Sequence, residues 1–440
     1  MSENSKTITG EIELSSEINE EIKGKINNIS EFREKIKSSL TKDTSDLMQV
    51  IMGGAIYLNS SDLHIEAEEN QARIRVRLDG VLQDVTDIDQ RIYEAILSRI
   101  KILSGLKLNI SDRPQDGRFS VFTSIALPGQ KPIEIRVSSL PSEHGESLVL
   151  RILNPKSLID LEALGLREDL LNIFKKEIQK PNGMIIVTGP TGSGKTTTLY
   201  AFLKTIQSPE IKIITIEDPI EYHLEGISQT QTAPEKGYDF SSGLKSIVRQ
   251  DPDVILVGEV RDLETAEISL QAALTGHLVF TTLHTNDAAG TIARLISLGA
   301  KPSNIGPAIN MTIAQRLVRL VCSKCKQLKK PDADTLKKIK RGLKGLPKTI
   351  KLPALDEKLK IVESKGCKEC NNTGYRGRIG IFEAFLIDDE MEKFILKSPS
   401  IAELKEEAIK KGMVTMYQDG LIKVIEGKTT LEELERVAEE

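Results

Sequence analysis

The stretch IIVTGPTGSGKTTTLY, residues 185–200, constrains the fold of this chain more than any other part of the sequence. An apolar run breaks into a glycine-rich loop, and the loop ends in Gly-Lys-Thr followed by residues that favour a helix. Residues 189–196 match the phosphate-loop pattern Gly-x-x-x-x-Gly-Lys-Thr without a gap. The sequence therefore predicts a strand, a phosphate-binding loop and a helix in immediate succession.

The residue types of this loop fit the chemistry of a bound nucleoside triphosphate. Gly192 and Gly194 allow backbone N–H groups to turn toward phosphate oxygens, and Lys195 supplies a positive charge to the β and γ phosphates. Thr196 offers a hydroxyl ligand to Mg²⁺. The predicted nucleotide-binding residues are Gly189, Pro190, Thr191, Gly192, Ser193, Gly194, Lys195, Thr196 and Thr197.

Hydrolysis of a bound triphosphate also needs a carboxylate near the attacking water. DVILVGEVRD has the pattern of a buried strand that ends in Gly258-Glu259, so Glu259 is the candidate for orienting and deprotonating that water. An exposed carboxylate at a strand end is the alternative. A second acidic group follows another strand, at Glu217, Asp218 and Glu221, and a solvated turn is the alternative there.

Two histidines flank the next apolar run, in TGHLVFTTLHTN. A histidine near a γ-phosphate is able to sense its loss, so His277 and His284 are both candidates for a nucleotide-linked role. A single histidine is more often a satisfied core or surface side chain, and this alternative stays open for both.

Short apolar runs alternate with helical patterns after residue 182, in GMIIVTGP, IKIITIEDP, DVILVGEV and HLVFTTLHT. This alternation favours an α/β fold, in which a parallel sheet is covered by helices on both faces. Before it, alternating strand patterns around an Asp79-Gly80 turn signal are mixed with helical segments, which is typical of a small α+β domain. The predicted boundaries are 1–44 for an N-terminal amphipathic helical segment, 45–155 for the α+β domain, 156–182 for a linker, 183–320 for the α/β core, 321–380 for a cysteine-containing subdomain and 381–440 for a C-terminal helical segment.

Apolar residues recur at spacings of three and four over residues 16–41, with Glu and Lys between them. They are Ile18, Ile22, Ile26, Ile29, Phe32, Ile36 and Leu40. The pattern predicts one apolar stripe on a helix, although Gly24 weakens its continuity. We expect the stripe to pack on its own domain or to dock on another subunit or partner.

Arginine is unusually frequent on and beside the predicted strands of the α+β domain. The residues are Arg75, Arg77, Arg113, Arg118, Arg136 and Arg151. A purely structural sheet does not require this number.

Four cysteines occur as two Cys-x-x-Cys pairs, Cys322 with Cys325 and Cys367 with Cys370. Two such pairs satisfy one tetrahedral Zn²⁺ with four thiolates, which leaves no open position for catalysis. The pattern therefore favours structural zinc, with surface thiols or a redox pair as the alternative.

Composition and charge restrict the partners. The formal net charge of −4 argues against a surface built to neutralise nucleic-acid phosphates, so no direct nucleic-acid partner is expected. Residues 1–16 lack the charged start and apolar core of a signal peptide, and no apolar run approaches the roughly 20 residues that span a bilayer. We therefore expect a cytoplasmic protein that contacts a membrane only through partners.

Four successive boxes resemble the hexameric secretion ATPases of type II secretion and type IV pilus assembly, the GspE/PilB family. The boxes are GPTGSGKTTTLY as Walker A, ITIEDPIEY as the aspartate box, RQDPDVILVGEVRDLETA as Walker B and TGHLVFTTLHTN as the histidine box. The resemblance extends from about residue 45 to residue 430. It implies a RecA-like P-loop ATPase core preceded by a PAS-like domain, a tetracysteine zinc subdomain, a homohexameric ring and Mg-ATP bound between the two domains.

The resemblance also implies roles for single residues of this sequence. Lys195 and Thr196 correspond to the ligands of phosphate and Mg²⁺, and Glu259 corresponds to the catalytic glutamate. Glu217 corresponds to a residue that helps to polarise water, and His284 to the nucleotide-linked histidine.

In RPQDGRF and EIRVSS, Arg118 and Arg136 occupy the positions of arginines that close over ATP in the family. Two features depart from the family pattern. Lys245 stands where family members often carry an arginine, and a lysine does not reproduce a bidentate phosphate contact, whereas Arg249 is retained. The sequence also predicts that the segment 1–44 stands where many secretion members carry a long N-terminal domain.

Together these patterns predict a motor that hydrolyses ATP to drive type IV pilus assembly through an inner-membrane platform protein. The cysteines favour assembly, because pilus retraction ATPases of the family generally lack the tetracysteine subdomain. The lysine-rich insert of residues 324–351 is expected to be a solvated loop or a contact with an acidic surface of the platform protein. Type II secretion and competence pseudopilus motors are the alternatives, and a pilus retraction motor, a nucleic-acid motor or a non-hydrolysing ring scaffold is less favoured.

Overall fold

The computed structural model describes residues 10–123, 132–155 and 158–438 of the chain. These residues form two compact units, and each unit is built around a seven-stranded sheet. None of the helices in these three ranges is both long enough and apolar enough to cross a membrane.

The first unit contains the described residues before Leu158 and the segment Lys365–Arg376. Its strands are β1 (Glu11–Glu13), β2 (Asp62–Ala67), β3 (Gln71–Leu78), β4 (Val81–Asp89), β5 (Gln115–Phe122), β6 (Ile133–Ser142) and β7 (Gly145–Leu153). Its helices are α1 (Ser16–Ile22), α2 (Ile29–Ser39), α3 (Thr44–Tyr57) and α4 (Gln90–Leu103). The strand order is β1-β5-β6-β7-β2-β3-β4, in which β1 runs parallel to β5 and the other neighbours are antiparallel.

Alternation of apolar and polar residues explains this antiparallel sheet. Every second side chain of β3, QARIRVRL, is buried, and β2 and β4 pair with it on either side. Asp79 and Gly80 have φ angles of 51° and 84°, so they form the tight turn between β3 and β4. The predicted pair of strands around this turn is confirmed.

The apolar stripe of residues 16–41 packs inside the first unit. Ile18, Phe32 and Ile36 are almost fully buried, in the same hydrophobic core as α3 and the sheet. Packing of the stripe on its own domain is therefore confirmed. The single helix that the pattern predicts is instead two helices, α1 and α2, because the chain turns at Gly24 with a φ of 75°.

The second unit contains Leu158–Ser364 and the described residues from Gly377 onward. Its strands are β8 (Gly183–Thr188), β9 (Ile213–Glu217), β10 (Ser228–Gln231), β11 (Val254–Val257), β12 (Leu278–Leu283), β13 (Ile309–Val321), β14 (Lys326–Lys329), β15 (Ile361–Ser364) and β16 (Tyr375–Leu386). Its helices are α5 (Glu168–Glu177), α6 (Lys195–Ile206), α7 (Phe240–Ile247), α8 (Leu263–Leu274), α9 (Ala288–Leu298), α10 (Pro302–Ala308), α11 (Ala333–Gly342), α12 (Asp389–Ile395), α13 (Ile401–Lys410), α14 (Met416–Ile425) and α15 (Leu431–Val437). The main sheet has the order β10-β9-β11-β12-β8-β13-β16, and β14 and β15 form a separate antiparallel pair.

The central strands β8, β9, β11 and β12 are parallel and buried along their whole length. Ile186 and Ile255 belong to the hydrophobic core on one face of the sheet, whereas Ile185 and Leu256 belong to the core on the other face. Burial on both faces is the reason that these strands are continuous apolar runs in the sequence. The predicted α/β fold with a parallel sheet is confirmed.

The main sheet also includes strands outside the central four. β13 pairs in parallel with β8 and ends directly before Cys322, and β16 begins shortly after Cys370. The sheet thus includes residues beyond the range 183–320. The helical pattern after it, over residues 389–434, is confirmed as the four short helices α12 to α15.

Candidate functional site

The parallel register brings several candidate residues to one edge of the main sheet. Thr188 at the end of β8 pairs with Leu283 at the end of β12, and Val257 at the end of β11 pairs with Thr281 and Ile216. The loops after these strands therefore leave the sheet at the same edge. These loops carry the glycine-rich motif, the candidate carboxylates and one candidate histidine.

The glycine-rich loop has a backbone that requires its glycines. Gly192 and Gly194 have φ angles of 79° and 90°, which glycine adopts without strain, and α6 begins at the next residue, Lys195. At Gly189 an added Cβ would lie 2.5 Å from the carbonyl oxygen of Gln315 in β13. The loop therefore packs directly against β13 and leads into the N-terminus of a helix, where anions are stabilised.

Lys195 is held on its own loop. Its Nζ donates hydrogen bonds to the carbonyl oxygens of Gly189, at 2.8 Å, and Pro190, at 3.2 Å. Partial burial lowers the pKa of Lys195, and the negative charge of Glu259 opposes that shift. The ammonium group thus lies beside the loop and within the electrostatic influence of Glu259.

Gln315 in β13 supports the loop from the sheet side. Its Nε2 donates to the carbonyl oxygen of Ser193 at 2.7 Å, and its Oε1 accepts from Thr198 Oγ1 in α6 at 2.7 Å. Gln315 is 1% exposed, so this bridge is part of the rigid interior. No spacing pattern in the sequence identifies Gln315, because β13 also carries other polar residues, among them Asn310 and Arg316.

Glu259 follows β11 and lies close to two basic groups. Its carboxylate forms an ion pair with Arg261 and lies 3.5 Å from Nε2 of His284. The turn that carries it is fixed because Thr282 Oγ1 donates to the carbonyl oxygen of Gly258 at 2.7 Å. Arg261 was not among the predicted site residues, although its position two residues after Glu259 in VGEVRD is a signal for it.

The structure separates the two candidate histidines. His284 follows β12 at the edge that carries the phosphate loop, where the backbone N–H of Thr285 donates to Thr188 Oγ1 at 2.8 Å. His277 precedes β12 at the opposite edge, and its Nδ1 lies 3.0 Å from the carbonyl oxygen of Ala272. His284 is therefore the histidine that the fold brings to the candidate site.

Glu217 ends β9 and is buried, with 4% of its surface exposed. Its Oε1 accepts hydrogen bonds from Thr215 Oγ1 at 2.6 Å and from Gln229 Nε2 at 3.1 Å, and its Oε2 accepts from the Tyr200 hydroxyl. Burial and the charge of Glu217 raise the pKa of Tyr200, so this hydroxyl keeps its proton. Donors on both oxygens hold the carboxylate in one orientation.

The remaining candidates near this edge are more exposed. Asp218 lies after Glu217, and its Oδ2 is 3.8 Å from Nη1 of Arg261. Lys245 on α7 forms an ion pair with Glu264 of α8, and both side chains are more than half exposed. This ion pair engages the ammonium group of Lys245, the residue that stands where family members often carry an arginine.

The two candidate arginines of the first unit lie on neighbouring strands. Arg118 of β5 is directly opposite Arg136 of β6 in the antiparallel register. Arg118 is exposed, and Nε of Arg136 lies 3.6 Å from Oε1 of Glu134. The sheet therefore presents the two guanidinium groups side by side.

The four cysteines form one cluster, in which all sulfur atoms lie within 4.8 Å of one another. Cys367 Sγ and Cys370 Sγ are 3.7 Å apart. This separation is far from the roughly 2.05 Å of a disulfide and close to the ~3.8 Å that follows from tetrahedral geometry with Zn–S bonds of about 2.3 Å. Cys322 and Cys370 are buried, unlike surface thiols. The donor set and its spacing fit a four-thiolate metal site.

Local backbone elements hold this cluster together. β14 and β15 pair directly inside the two cysteine pairs, and Ser364 Oγ lies 3.3 Å from Cys325 Sγ. The backbone N–H groups of Cys367 and Gly374 donate to Cys370 Sγ at 3.2 Å and 3.3 Å. Such N–H donors stabilise a thiolate, which is the form of cysteine that binds metal.

Comparison with known proteins identifies the family. Residues 40–436 match the family described as Type II/IV secretion system protein. The chain is 42% identical over 381 residues to the type IV pilus assembly ATPase PilB of Thermus thermophilus. This match covers 86% of this chain and 41% of that protein. It is 43% identical over 395 residues to the type II secretion system protein E of Pseudomonas aeruginosa, which covers 90% of this chain and 75% of that protein. This chain thus spans less than half of the first relative and three quarters of the second.

The solved structures agree on the fold. The Legionella pneumophila ATPase DotB superposes with a TM-score of 0.64 at 21% identity, and the match covers 90% of this chain and 96% of that chain. The family match includes the phosphate loop, the carboxyl edge of the sheet and the cysteine cluster, so the predicted resemblance to the GspE/PilB ATPases is confirmed. The chain belongs to the Type II/IV secretion system protein family.

Proposed function

We propose that this chain is a Mg²⁺-dependent ATPase that powers type IV pilus assembly. The observation that carries the proposal is the convergence of Lys195, Glu259 and His284 beside a complete phosphate loop. Hydrolysis of a phosphoanhydride needs a cation that binds phosphate and a group that activates water, and Lys195 and Glu259 supply these. The imidazole of His284 lies where it responds to the charge of both. The relative that is named as a type IV pilus assembly ATPase supports the same activity.

ATP would be held by the phosphate loop and the first turn of α6. The backbone N–H groups from Thr191 to Thr196 would bind its phosphate oxygens. The ammonium group of Lys195 would leave the carbonyl oxygens of Gly189 and Pro190 and bind the β and γ phosphates instead. Thr196 supplies a hydroxyl ligand to Mg²⁺, which neutralises the phosphate charge when it is bound. The lysine is thus already in the loop before nucleotide arrives.

Glu259 is the proposed general base. It accepts a proton from water while the water oxygen attacks the γ-phosphorus and ADP leaves. The ion pair with Arg261 engages the Glu259 carboxylate, so this pair must open before the carboxylate accepts a proton from water. Arg261 would then be free to interact with Asp218 or with nucleotide.

Three further residues take supporting roles in the proposal. Glu217 helps to polarise the attacking water, and its buried hydrogen bonds keep its carboxylate in place. Arg118 and Arg136 supply guanidinium groups to the triphosphate, a contribution that reaches about 10³–10⁵ in rate in comparable enzymes. His284 responds to loss of the γ-phosphate through its contact with Glu259.

The cysteine cluster is proposed to hold one structural Zn²⁺. Its four sulfur atoms fill a tetrahedral coordination sphere, so the metal stabilises the fold and takes no part in hydrolysis. In the resembling family this subdomain accompanies assembly rather than retraction, which supports the choice of pilus assembly.

The motor is proposed to act as a homohexamer on the cytoplasmic side of the inner membrane. Its partners would be an inner-membrane platform protein and other components of the pilus or secretion machine. Type II secretion is the second candidate, because protein E of Pseudomonas aeruginosa matches this chain as well as the pilus assembly relative does.

Replacing Lys195 or Glu259 tests the ATPase assignment. Lys195→Ala removes the phosphate-binding charge, and Glu259→Gln removes the base, so we expect Mg²⁺-dependent phosphate release to fall by about 10²–10⁴-fold in Glu259→Gln and at least as far in Lys195→Ala. Lys204→Ala is the control, because Lys204 lies exposed on the same helix in an ion pair with Asp160. Unchanged turnover in either site variant would contradict the assignment.

The titration of His284 tests the arrangement of charges. Burial and Lys195 lower the pKa of His284 below 6.5, and Glu259 opposes the shift. In the nucleotide-free protein we therefore expect Glu259→Gln to lower this pKa further and Lys195→Ala to raise it, as followed by NMR of the imidazole resonance. Because the folded-state pKa is lowered, the contribution of His284 to stability is complete above pH 6.5 and declines as the pH falls below it. Shifts of the opposite sign would contradict the proximity of His284 to Lys195 and Glu259.

Metal content tests the cysteine cluster. The wild-type protein should carry about one Zn²⁺ per chain, because four thiolates form one tetrahedral site, and Cys367→Ser with Cys370→Ser should remove it. Ser364→Ala is the control, since Ser364 touches Cys325 but supplies no thiolate. Wild-type protein purified without chelator that holds no zinc would rule out this role.

A host strain carrying Lys195→Ala distinguishes a pilus assembly motor from a type II secretion motor and from a pilus retraction motor. Loss of surface pili by electron microscopy, with normal protein secretion, is the expected result for a pilus assembly motor. Normal pili with secreted proteins retained inside the cell would point to type II secretion. An increased number of pili would indicate a retraction motor and contradict the role drawn from the cysteines.

A further inference from the structure

Glu383 is a buried carboxylate that the proposed hydrolysis does not use. It lies on β16, the outermost strand on one side of the main sheet, and 3% of its surface is exposed. Burying a charged group costs free energy unless hydrogen bonds and other charges compensate for it. Burial raises the pKa of Glu383, and hydrogen bonds from two backbone N–H groups oppose that shift. These two N–H groups identify what the carboxylate holds.

Each carboxylate oxygen of Glu383 binds the start of a different helix. Its Oε1 accepts a hydrogen bond from the backbone N–H of Ala288, the first residue of α9, at 2.8 Å. Its Oε2 accepts from the backbone N–H of Met416, the first residue of α14, at 3.0 Å. Because the N-terminus of a helix stabilises negative charge, both helices favour the ionised carboxylate. Glu383 thus joins two helices that are distant in the sequence.

Neither helix depends on Glu383 for its N-cap. The Asp287 side chain caps α9, because it accepts from the backbone N–H of Gly290 at 2.7 Å. The Thr415 hydroxyl caps α14, because it accepts from the backbone N–H of Gln418 at 3.3 Å. The Glu383 carboxylate therefore adds a connection between two helix ends that are already capped.

The α14 side of this connection is fixed to the sheet. Asp419 of α14 is buried, and its Oδ2 accepts from the backbone N–H of Phe382, the residue before Glu383, at 2.9 Å. The strand β16 and the helix α14 therefore share two hydrogen bonds to buried carboxylates, one in each direction. Buried and satisfied polar groups of this kind are rigid, so Glu383 has a firm support.

The α9 side of the connection leads to the candidate site. Residues 284–287 join β12 to α9, and His284 is the first of them. Near the start of this segment, Thr285 Oγ1 lies 2.8 Å from Thr188 Oγ1, and the backbone N–H of Thr285 donates to the same oxygen. Thr188 is the residue before the phosphate loop. The segment is thus held near its start by Thr188 and directly after its end by Glu383.

We propose that Glu383 is a positioning residue of the candidate site, because it fixes residues 284–287 and so holds His284 beside Glu259. This proposal rests on the proposed ATPase function and extends it to a residue for which neither the motifs nor the resemblance gave a role. His284 Nε2 lies 3.5 Å from Oε2 of Glu259, which is longer than an ordinary hydrogen bond, so a small displacement of the segment breaks the contact. The contact between these two groups therefore depends on the position in which Glu383 holds the segment.

ATP turnover by the full chain tests this role. Glu383→Gln keeps the shape of the side chain, but its amide offers one acceptor oxygen to two backbone N–H groups, so one end of the connection is lost. We expect kcat to fall by about 10- to 100-fold, as for a misplacement of about 1 Å near reacting groups. The KM for ATP should change little, because the phosphate loop keeps its own contacts. Glu383→Asp, which is one methylene group shorter, should show the same split between kcat and KM and replaces Glu383→Gln if that variant does not fold.

Glu433→Gln is the matched control. Glu433 is also buried, and its Oε1 accepts from the backbone N–H of Arg319 at 2.9 Å. Its replacement should lower the thermal midpoint and leave kcat unchanged, because it weakens a buried ion pair on β13 and α15. Equal losses of kcat in Glu383→Gln and Glu433→Gln would reduce the role of Glu383 to stability alone.

A double-mutant cycle with His284→Ala shows whether Glu383 acts through the histidine. The double variant should be no slower than the slower of the two single variants, because a displaced segment and a missing imidazole remove the same contact. Losses of kcat that multiply in the double variant overturn the proposal. An unchanged kcat in His284→Ala also overturns it, since Glu383 would then not act through His284.

The remaining outcomes separate this proposal from the one on which it rests. Hydrolysis of ATP by the wild type with an unchanged kcat in Glu383→Gln overturns the positioning role and upholds the proposed function. A wild-type protein that does not hydrolyse ATP overturns both. A fall in kcat that Glu383→Gln shares with His284→Ala, that does not multiply in the double variant and that Glu433→Gln does not show supports the role of Glu383.

Discussion

Parallel pairing of β8, β9, β11 and β12 is the constraint on which the candidate site depends. These strands are buried on both faces, so their backbone groups bond to the neighbouring strands of the sheet and their register is fixed. In that register their carboxyl ends reach the same edge, although the residues at those ends are far apart in the chain. The phosphate loop, Glu259 and His284 meet for this reason, and no contact among the side chains alone would bring them together.

The charged side chains at this edge already form hydrogen bonds and ion pairs within the chain. Lys195 donates hydrogen bonds to the carbonyl oxygens of its own loop, and the Glu259 carboxylate contacts both Arg261 and His284. Under the proposed function a nucleotide has to replace these pairs with its own charges, and the free energy of that exchange links nucleotide binding to the positions of the loops. Such an exchange is a physical basis for a motor, because each partner has two alternative arrangements.

The first unit shows how much a strand pattern leaves undecided. Alternation in QARIRVRL and the Asp79-Gly80 turn were sufficient to predict β3, β4 and the hairpin between them. An excess of arginine was also visible in the sequence, but the cross-strand neighbours of these arginines were not. These neighbours depend on cross-strand register, and register is set by the turns and the buried face rather than by the arginines themselves.

The sequence by itself determined the features that depend on neighbouring residues. A phosphate loop is one continuous stretch whose glycines and lysine act locally, and four cysteines in two close pairs admit few structures other than a metal site. Only the tertiary structure decided the features that depend on distant residues: His284 rather than His277 at the site, Gln315 beneath the loop, and Arg151 beside Arg136. The physical reason is that buried strand pairing sets these neighbours, and the energy of that pairing is spread over backbone hydrogen bonds and two hydrophobic cores that no short motif encodes.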